Sequence, residues 1–175
     1  MTCINESTAQ RFIEHAKTVN ETAALALRLE TRDATAIQAK ISFGLSLQAA
    51  ELAAKAMLIT TGLTPDEARA RHRRHDVYQM LLEANERVEG HPNRALKLYG
   101  KFLSWLPIVD GAEFATSLGE YFEQHFSHGP TAFPRNYFYP DLEQFAGPQP
   151  PQALYVMVEH LIQCASEVRV AAEGQ

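Results

Sequence analysis

The sequence predicts an all-α fold, namely a single-domain, up-down bundle of about six helices. Apolar residues recur at three- and four-residue steps through most of the chain, which is the helical period. Short alternating runs of β-branched residues, which would predict strands, are nearly absent. The 175 residues fit one domain whose core needs no support from disulfides or metals. We therefore predict one helical domain over residues 1–175.

Two long helices are predicted in the first third of the chain. The first begins near Ser7 or Thr8, either of which could cap it, and runs to about Leu29. The second covers roughly residues 34–61. Gly62 ends it, since glycine is the usual residue just past a helix C-terminus.

Helix-start signals then recur along the chain. Thr64 resembles an N-cap, because Pro65 follows at the first helical position and acidic residues occupy the first turn. It predicts a short helix that reaches a cluster of arginines and histidines. The remaining predicted helices run from His75–Asp76 to about Val88, from Pro92 or Asn93 to about Leu106, from Asp110 to about His125, and from Pro150 or Pro151 to about Ala172.

The segment from about residue 128 to 151 differs from the rest of the chain. Six prolines make a continuous helix implausible there. Aromatic residues nevertheless remain dense, whereas a disordered linker would be poor in them. We therefore predict an ordered, irregular loop that packs on the helical body.

Composition limits the classes of function. The net charge of −5 argues against non-specific binding of nucleic acid by the whole surface, so any such contact needs a local basic patch. Cys3 and Cys164 form neither a disulfide framework nor a zinc spacing. No signal peptide and no apolar run of about 20 residues is visible. A cytoplasmic protein without membrane contact is the expectation.

Three polar residues interrupt the apolar second helix. Gln48, Glu51 and Lys55 are spaced i, i+3 and i+7, which places them on one stripe. Polar groups in a helical core need partners, and Glu51 and Lys55 can pair along the helix. The pattern favours a buried polar network, with the alternative of a polar seam on a partly buried helix.

The cluster Arg69, Arg71, Arg73 and Arg74, with His72 and His75, is the densest cationic stretch of the sequence. Arginine forks suit phosphate geometry, so the cluster could hold phosphates. The alternative is a solvated helix face balanced by neighbouring acids. His75 could transfer protons near neutral pH. In the alternative, Asp76 caps a helix and His75 bonds a backbone carbonyl.

Arg135, Tyr137 and Tyr139 lie among the prolines of the 128–151 segment. The aromatic rings could stack on a base or close a pocket, and the alternative is a structural clasp. The histidines do not form a metal-ligand spacing on one helix, and no glycine-rich phosphate loop is present. No metal and no cofactor is therefore predicted.

Several segments together resemble a known family. The run AELAAKA at residues 50–56 is followed by a turn with Gly62, by His-Asp-Val at 75–77 and by Leu-Leu at 81–82. Later, RNYFYPD at 135–141 precedes the closing helix. This order resembles the HEPN superfamily, small helical domains that bind nucleotides or act on RNA.

The resemblance implies a helical bundle that is often a homodimer. Many members cut RNA without a metal through an arginine and a histidine separated by four to six residues, and others act in toxin–antitoxin or antiviral defence systems. Arg69 and His75 have that spacing here, although Ala70 replaces a usual polar residue and the pair lies early in the domain. Arg135 lies at the more usual place, without a histidine close behind it.

The predicted function is RNA or nucleotide binding, with metal-independent endoribonuclease activity left open. Its candidate partners are RNA or a nucleotide, a second copy of the chain, and a cognate antitoxin or defence-system protein. The alternative is a non-catalytic interaction or dimerisation module. Candidate catalytic residues are His75, Arg69 and Arg135, and candidate substrate-binding residues are Arg71, Arg74, Lys55, Glu51 and Tyr139.

Overall fold

A computed structural model describes residues 2–28, 35–70, 76–105, 117–126 and 151–174. These residues form helices and no strand, which confirms the all-α class for this part of the chain. The helices are α1 (Thr2–Arg28), α2 (Thr35–Thr60), α3 (Pro65–Ala68), α4 (Val77–Gly90), α5 (Arg94–Lys97), α6 (Phe102–Trp105), α7 (Leu118–Phe126) and α8 (Pro151–Glu173).

Helix α2 lies at the centre of the described structure. It packs against α1, α8 and α4, while α1 and α8 also contact each other. Its middle is rich in buried alanine, and small side chains let neighbouring helices approach closely. The larger buried side chains of α2, such as Phe43, Leu47 and Met57, fill the remaining space. Burial of each such side chain is worth about 1.5–3 kcal/mol relative to exposure, so α2 contributes substantially to core stability.

One hydrophobic cluster joins most of the helices. Ile13 of α1, Leu81 of α4, Phe122 of α7 and Leu161 of α8 all belong to it and are fully buried. The apolar stripe of α8 follows the three- and four-residue spacing of the sequence. The buried side chains of α8 therefore lie on one side of the helix, facing the core.

Side-chain caps define where several helices begin. Thr64 accepts a hydrogen bond from the backbone N–H of Glu67, and the Glu67 carboxylate accepts one from the backbone N–H of Thr64. This reciprocal capping box, with Pro65 at the first turn, confirms the predicted start of α3. Asn93 caps α5 by accepting from the backbone N–H of Ala95 at 2.8 Å, which confirms one of its two predicted starts.

Three predicted helix boundaries are wrong. Helix α1 begins at Thr2, earlier than Ser7 or Thr8. The helix predicted from Pro92 or Asn93 to about Leu106 is divided into α5 and α6, because Lys101 adopts a left-handed backbone conformation with φ of 62°. Helix α7 begins at Leu118 and not at residue 110, since Ser117 is a non-helical residue whose hydroxyl accepts from the Glu120 N–H.

Two further expectations concern the irregular loop and membrane-spanning helices. The loop predicted at about 128–151 falls almost wholly outside the described residues. Among the helices that the structure does describe, none combines the length and the apolar character that a membrane crossing requires.

Candidate functional site

The short helix α3 is held against the beginning of α1. Ala68 is fully buried in a small cluster with Ala9 of α1 and Ile59 of α2, and Phe12 packs on this cluster. The capping box fixes the first turn of α3, so the position of its last residues follows from that anchoring. As a result, Arg69 at the C-cap is presented next to the exposed side of α1.

A recess of about 340 Å³ lies between these two elements. Arg11 and His15, four residues apart on one face of α1, form one wall of it. Arg69 forms the other wall, and its guanidinium carbon lies 5.5 Å from the centre of the Phe12 ring. This cation–π contact positions the guanidinium while leaving its N–H groups available for hydrogen bonds.

The recess is locally cationic. Within the described part of the chain, Arg11 and His15 form no ion pair, and Arg69 has a long contact of 3.9 Å with Asp66. The Asp66 side chain is fully exposed and that of Arg69 is 57% exposed, so water screens their attraction. Positive charge on this surface is therefore only weakly compensated.

The chemistry of the recess suits an anionic ligand. Guanidinium groups present planar sets of donors that match phosphate or carboxylate oxygens. The imidazole of His15 can add a hydrogen-bond donor to the two guanidinium groups. The volume falls in the range of small-ligand sites, although the recess is open to solvent on one side.

The predicted site residues are only partly accounted for. Arg69 lines the recess, whereas Glu51 and Lys55 do not. His75, Arg71 and Arg74 lie outside the described residues, as do Arg135 and Tyr139. The structure therefore neither brings these five together with Arg69 nor separates them from it.

Glu51 and Lys55 form an ion pair along α2. The Lys55 Nζ donates to Glu51 Oε1, and the two residues are only 8% and 7% exposed. The predicted buried pair is thus confirmed. Gln48 is exposed, so its predicted place in the interior was wrong. Gln48 and Lys55 are seven residues apart on the same face, and only the end near Lys55 is covered by neighbouring elements.

Asp76 is an N-cap residue. Its Oδ1 accepts a hydrogen bond of 3.1 Å from the backbone N–H of Gln79 at the start of α4. This agrees with the structural alternative for Asp76 that was drawn from the sequence. The role of the adjacent His75 stays a prediction.

Sequence reasoning missed Arg11 and His15. Both lie on the polar side of α1, where charged residues are ordinary and carry no functional signal by themselves. Their four-residue spacing was visible, but the docking of α3 beside them was not. Two sequence features taken together could have indicated them. One is the basic pair four residues apart on α1, and the other is a capped short helix that ends at an arginine.

No protein-family model, curated protein or solved structure significantly matches the chain. Function must therefore be argued from the site itself. Among the described residues, no group of three or more histidine, cysteine, aspartate or glutamate side chains is arranged to hold a metal ion.

Proposed function

We propose that this HEPN-like helical protein binds the phosphate groups of RNA or of a nucleotide in the recess formed by Arg11, His15 and Arg69. The observation that carries the proposal is that Arg11 and His15 of α1 line one recess with Arg69 from the end of α3, whose guanidinium lies over the Phe12 ring. Two guanidinium groups can share the oxygens of one phosphate, and a base can stack on a guanidinium plane.

The overall charge supports a local site. A chain with a net charge of −5 repels polyanions on average, so binding depends on a short cationic surface. In the sequence, Arg71 and Arg74 lie two and five residues after Arg69. We retain both as further candidates for contacts to the backbone of a longer RNA.

A catalytic extension of the proposal is a metal-independent endoribonuclease, in a toxin–antitoxin or phage-defence setting. In this chemistry a histidine accepts the proton of the 2′-hydroxyl, whose oxygen attacks the phosphorus, and an arginine stabilises the charge that develops on the phosphorane. The bond to the 5′-oxygen then breaks, and this oxygen leaves with a proton as a 2′,3′-cyclic phosphate forms. His15 and Arg69 line the same recess and supply both chemical groups. His75 and Arg135 remain alternative candidates for the same two roles.

The alternative function is a non-catalytic interaction or dimerisation module. Exposed large apolar side chains would support it, and the described residues include Leu25, Ile41, Leu98 and Val170. Single apolar residues at the surface are common in monomeric proteins, so these four carry little weight. We therefore prefer the phosphate-binding function.

Fluorescence anisotropy with a labelled 12-nucleotide single-stranded RNA tests the proposal. Arg11→Gln and Arg69→Gln should each weaken binding about 5- to 10-fold, because each side chain is exposed and solvent screening reduces the strength of its charge-assisted contact. Lys17→Gln is the matched control, because it removes one positive charge from the same helix as Arg11 but outside the recess. Equal affinities for wild type and both arginine variants would overturn the proposal.

The catalytic extension needs a separate assay. Wild-type protein should cleave the same RNA in the presence of EDTA, since the mechanism requires no metal. His15→Gln should abolish cleavage if His15 is the acid/base, and His75→Ala should do so if His75 has that role. RNA that stays intact with wild-type protein would refute the extension without affecting the binding proposal.

A further inference from the structure

The recess offers a bound anion two permanent positive charges. Its described lining holds no carboxylate and consists of Thr8, Arg11, Phe12, His15, Pro65 and Arg69. Arg11 belongs to α1, whereas Arg69 caps the end of α3, so the two guanidinium groups face a ligand from different walls. An arginine side chain stays charged at any physiological pH. The surface next to these side chains then decides which kind of phosphate the recess prefers.

Beyond His15, the same side of α1 carries no charge. His15, Thr18, Thr22 and Leu25 follow one another at three- and four-residue steps, so they share one helix face. The Thr18 hydroxyl donates to the backbone carbonyl of Glu14 at 3.1 Å, and the Thr22 hydroxyl donates to that of Thr18 at 2.7 Å. Leu25 is 58% exposed. This face therefore presents methyl groups, and both of its hydroxyl protons are already used within the helix.

The charged residues of this part of α1 lie on another side of the helix. Lys17 and Glu21 line a groove between α1 and α8, and this groove shares no described lining residue with the recess. In the other direction, the chain continues from Arg69 to Arg71 and Arg74 in the sequence. The cationic groups available to an anionic chain are therefore placed on one side of the recess only.

This one-sided arrangement does not suit an RNA strand that runs through the recess. Single strands normally bind along a positively charged groove that follows the backbone. A strand that continued past His15 along α1 would bring its next phosphates to Thr18, Thr22 and Leu25, where no charge compensates them. A strand that ends in the recess meets the two guanidinium groups without crossing that uncharged face.

The charge of a terminal phosphate also matches the recess. A phosphomonoester carries about 1.5 to 2 negative charges at pH 7 and presents three acceptor oxygens, whereas the diester inside a strand carries a single charge. Two guanidinium forks can share these oxygens. The volume of about 340 Å³ is at the small end of ligand sites, which suits one terminal nucleotide better than a longer segment.

We propose that the recess binds a phosphomonoester, either at the end of an RNA strand or on a nucleoside monophosphate. Arg11 and Arg69 share the terminal oxygens, His15 adds a hydrogen-bond donor, and the rest of the ligand leaves on the side of α3. The inference rests on the phosphate-binding function proposed above and not on its catalytic extension, because a terminal phosphate is not an internucleotide linkage.

The test compares ends of one RNA sequence by fluorescence anisotropy, with the label at the opposite end. RNA with a 5′-phosphate or a 3′-phosphate should bind about 5-fold more tightly than RNA with hydroxyl groups at both ends, the gain expected for one further charge at an exposed site. The matched control is RNA with a 5′-methyl phosphate, which keeps the phosphate but loses the second charge. It should lose most of the gain.

Competition with uridine 5′-monophosphate identifies the source of the phosphomonoester. An affinity equal to that of the phosphorylated RNA assigns the site to the free nucleotide, and a weaker affinity assigns it to the end of a strand. Both results support the inference. Uridine, which lacks the phosphate, should not compete.

Variants connect the preference to the recess. Arg11→Gln and Arg69→Gln should each reduce the affinity ratio between 5′-phosphate and 5′-hydroxyl RNA towards one, while Lys17→Gln should leave this ratio unchanged. Thr18→Lys extends the positive charge past His15, so it should strengthen binding of the hydroxyl RNA and lower the ratio. Thr18 is exposed, so this substitution preserves the core.

Two results would overturn the inference. One is equal affinity for hydroxyl RNA and for RNA phosphorylated at either end. The other is a 5′-methyl phosphate RNA that binds as tightly as the 5′-phosphate RNA, since the second charge would then have no effect. Hydroxyl RNA that still depends on Arg11 and Arg69 in these cases would leave the phosphate-binding function intact, whereas no binding of any RNA would refute both.

Discussion

Replacing Lys55 with methionine removes the positive partner of a buried ion pair without leaving a large cavity. The side chains of Lys55 and Glu51 are only 11% and 9% exposed, so the Glu51 carboxylate would lose its ammonium partner where water reaches it poorly. Breaking such a pair from one side costs about 3–5 kcal/mol, and the residual exposure favours the lower end, about 3 kcal/mol. With a urea m-value of about 2 kcal/mol/M, the unfolding midpoint should fall by about 1.5 M.

Equilibrium urea unfolding followed by circular dichroism measures this loss. The double variant Glu51→Leu, Lys55→Met should recover most of the stability, to within about 1 kcal/mol of wild type, because neither charge of this pair is left without the other. Arg87→Met is the matched control. It breaks an i, i+4 pair of 3.0 Å with Glu83 whose side chains are about one-third exposed, and it should cost less than about 1 kcal/mol.

Two results would refute this reasoning. A Lys55→Met variant that loses no more stability than Arg87→Met would show that water or another group compensates Glu51. A double variant that is less stable than Lys55→Met alone would show that the polar pair itself, and not the charge imbalance, supports the helix packing.

Two further predictions concern Cys164 and Lys101. Burial, reinforced by the nearby Glu167 charge, raises the pKa of the Cys164 thiol to about 12. At pH 8 only roughly 1 in 10,000 molecules then carries the reactive thiolate at this position. Iodoacetamide should therefore modify Cys164 only after unfolding. Because the folded protein holds this proton more tightly, wild type should lose stability relative to Cys164→Ala as the pH rises from 9 towards 12, by up to about 1.4 kcal/mol per pH unit in urea titrations. Lys101→Gly should raise the melting temperature, gaining about 0.5–1 kcal/mol at a φ of 62°, since the lost contact to Glu89 is exposed and 3.7 Å long. Lys101→Ala keeps the strain and should not be stabilised, and equal melting temperatures for the two variants would contradict the argument.

Local signals in the sequence were sufficient for several elements. The start of α3 was predictable because every group of its capping box lies within Thr64 to Glu67. The C-terminal end of α2 was predictable to within one residue, since Gly62 follows the apolar run after only two threonines. In both cases the residues that decide the structure are neighbours in the chain.

Tertiary arrangement accounts for what the sequence could not show. Gln48 and Lys55 share one helix face, and only packing distinguishes the exposed residue from the buried one. The break at Lys101 comes directly after Gly100, a local helix-breaking signal that the prediction of one continuous helix to about Leu106 did not use. Arg69 was predicted as a site residue, but its neighbours Arg11 and His15 are more than 50 residues away in sequence and come close only through the docking of α3 on α1.

The salt dependence of RNA affinity tests most directly whether both guanidiniums of the recess contact phosphates. Each neutralised phosphate of a single strand contributes about 0.7 to the slope of log K against log salt concentration. The slope for the Arg11→Gln, Arg69→Gln double variant should therefore be smaller in magnitude than that of wild type by about 1.4, with Lys17→Gln unchanged. A double variant with the wild-type slope would contradict phosphate binding in the recess.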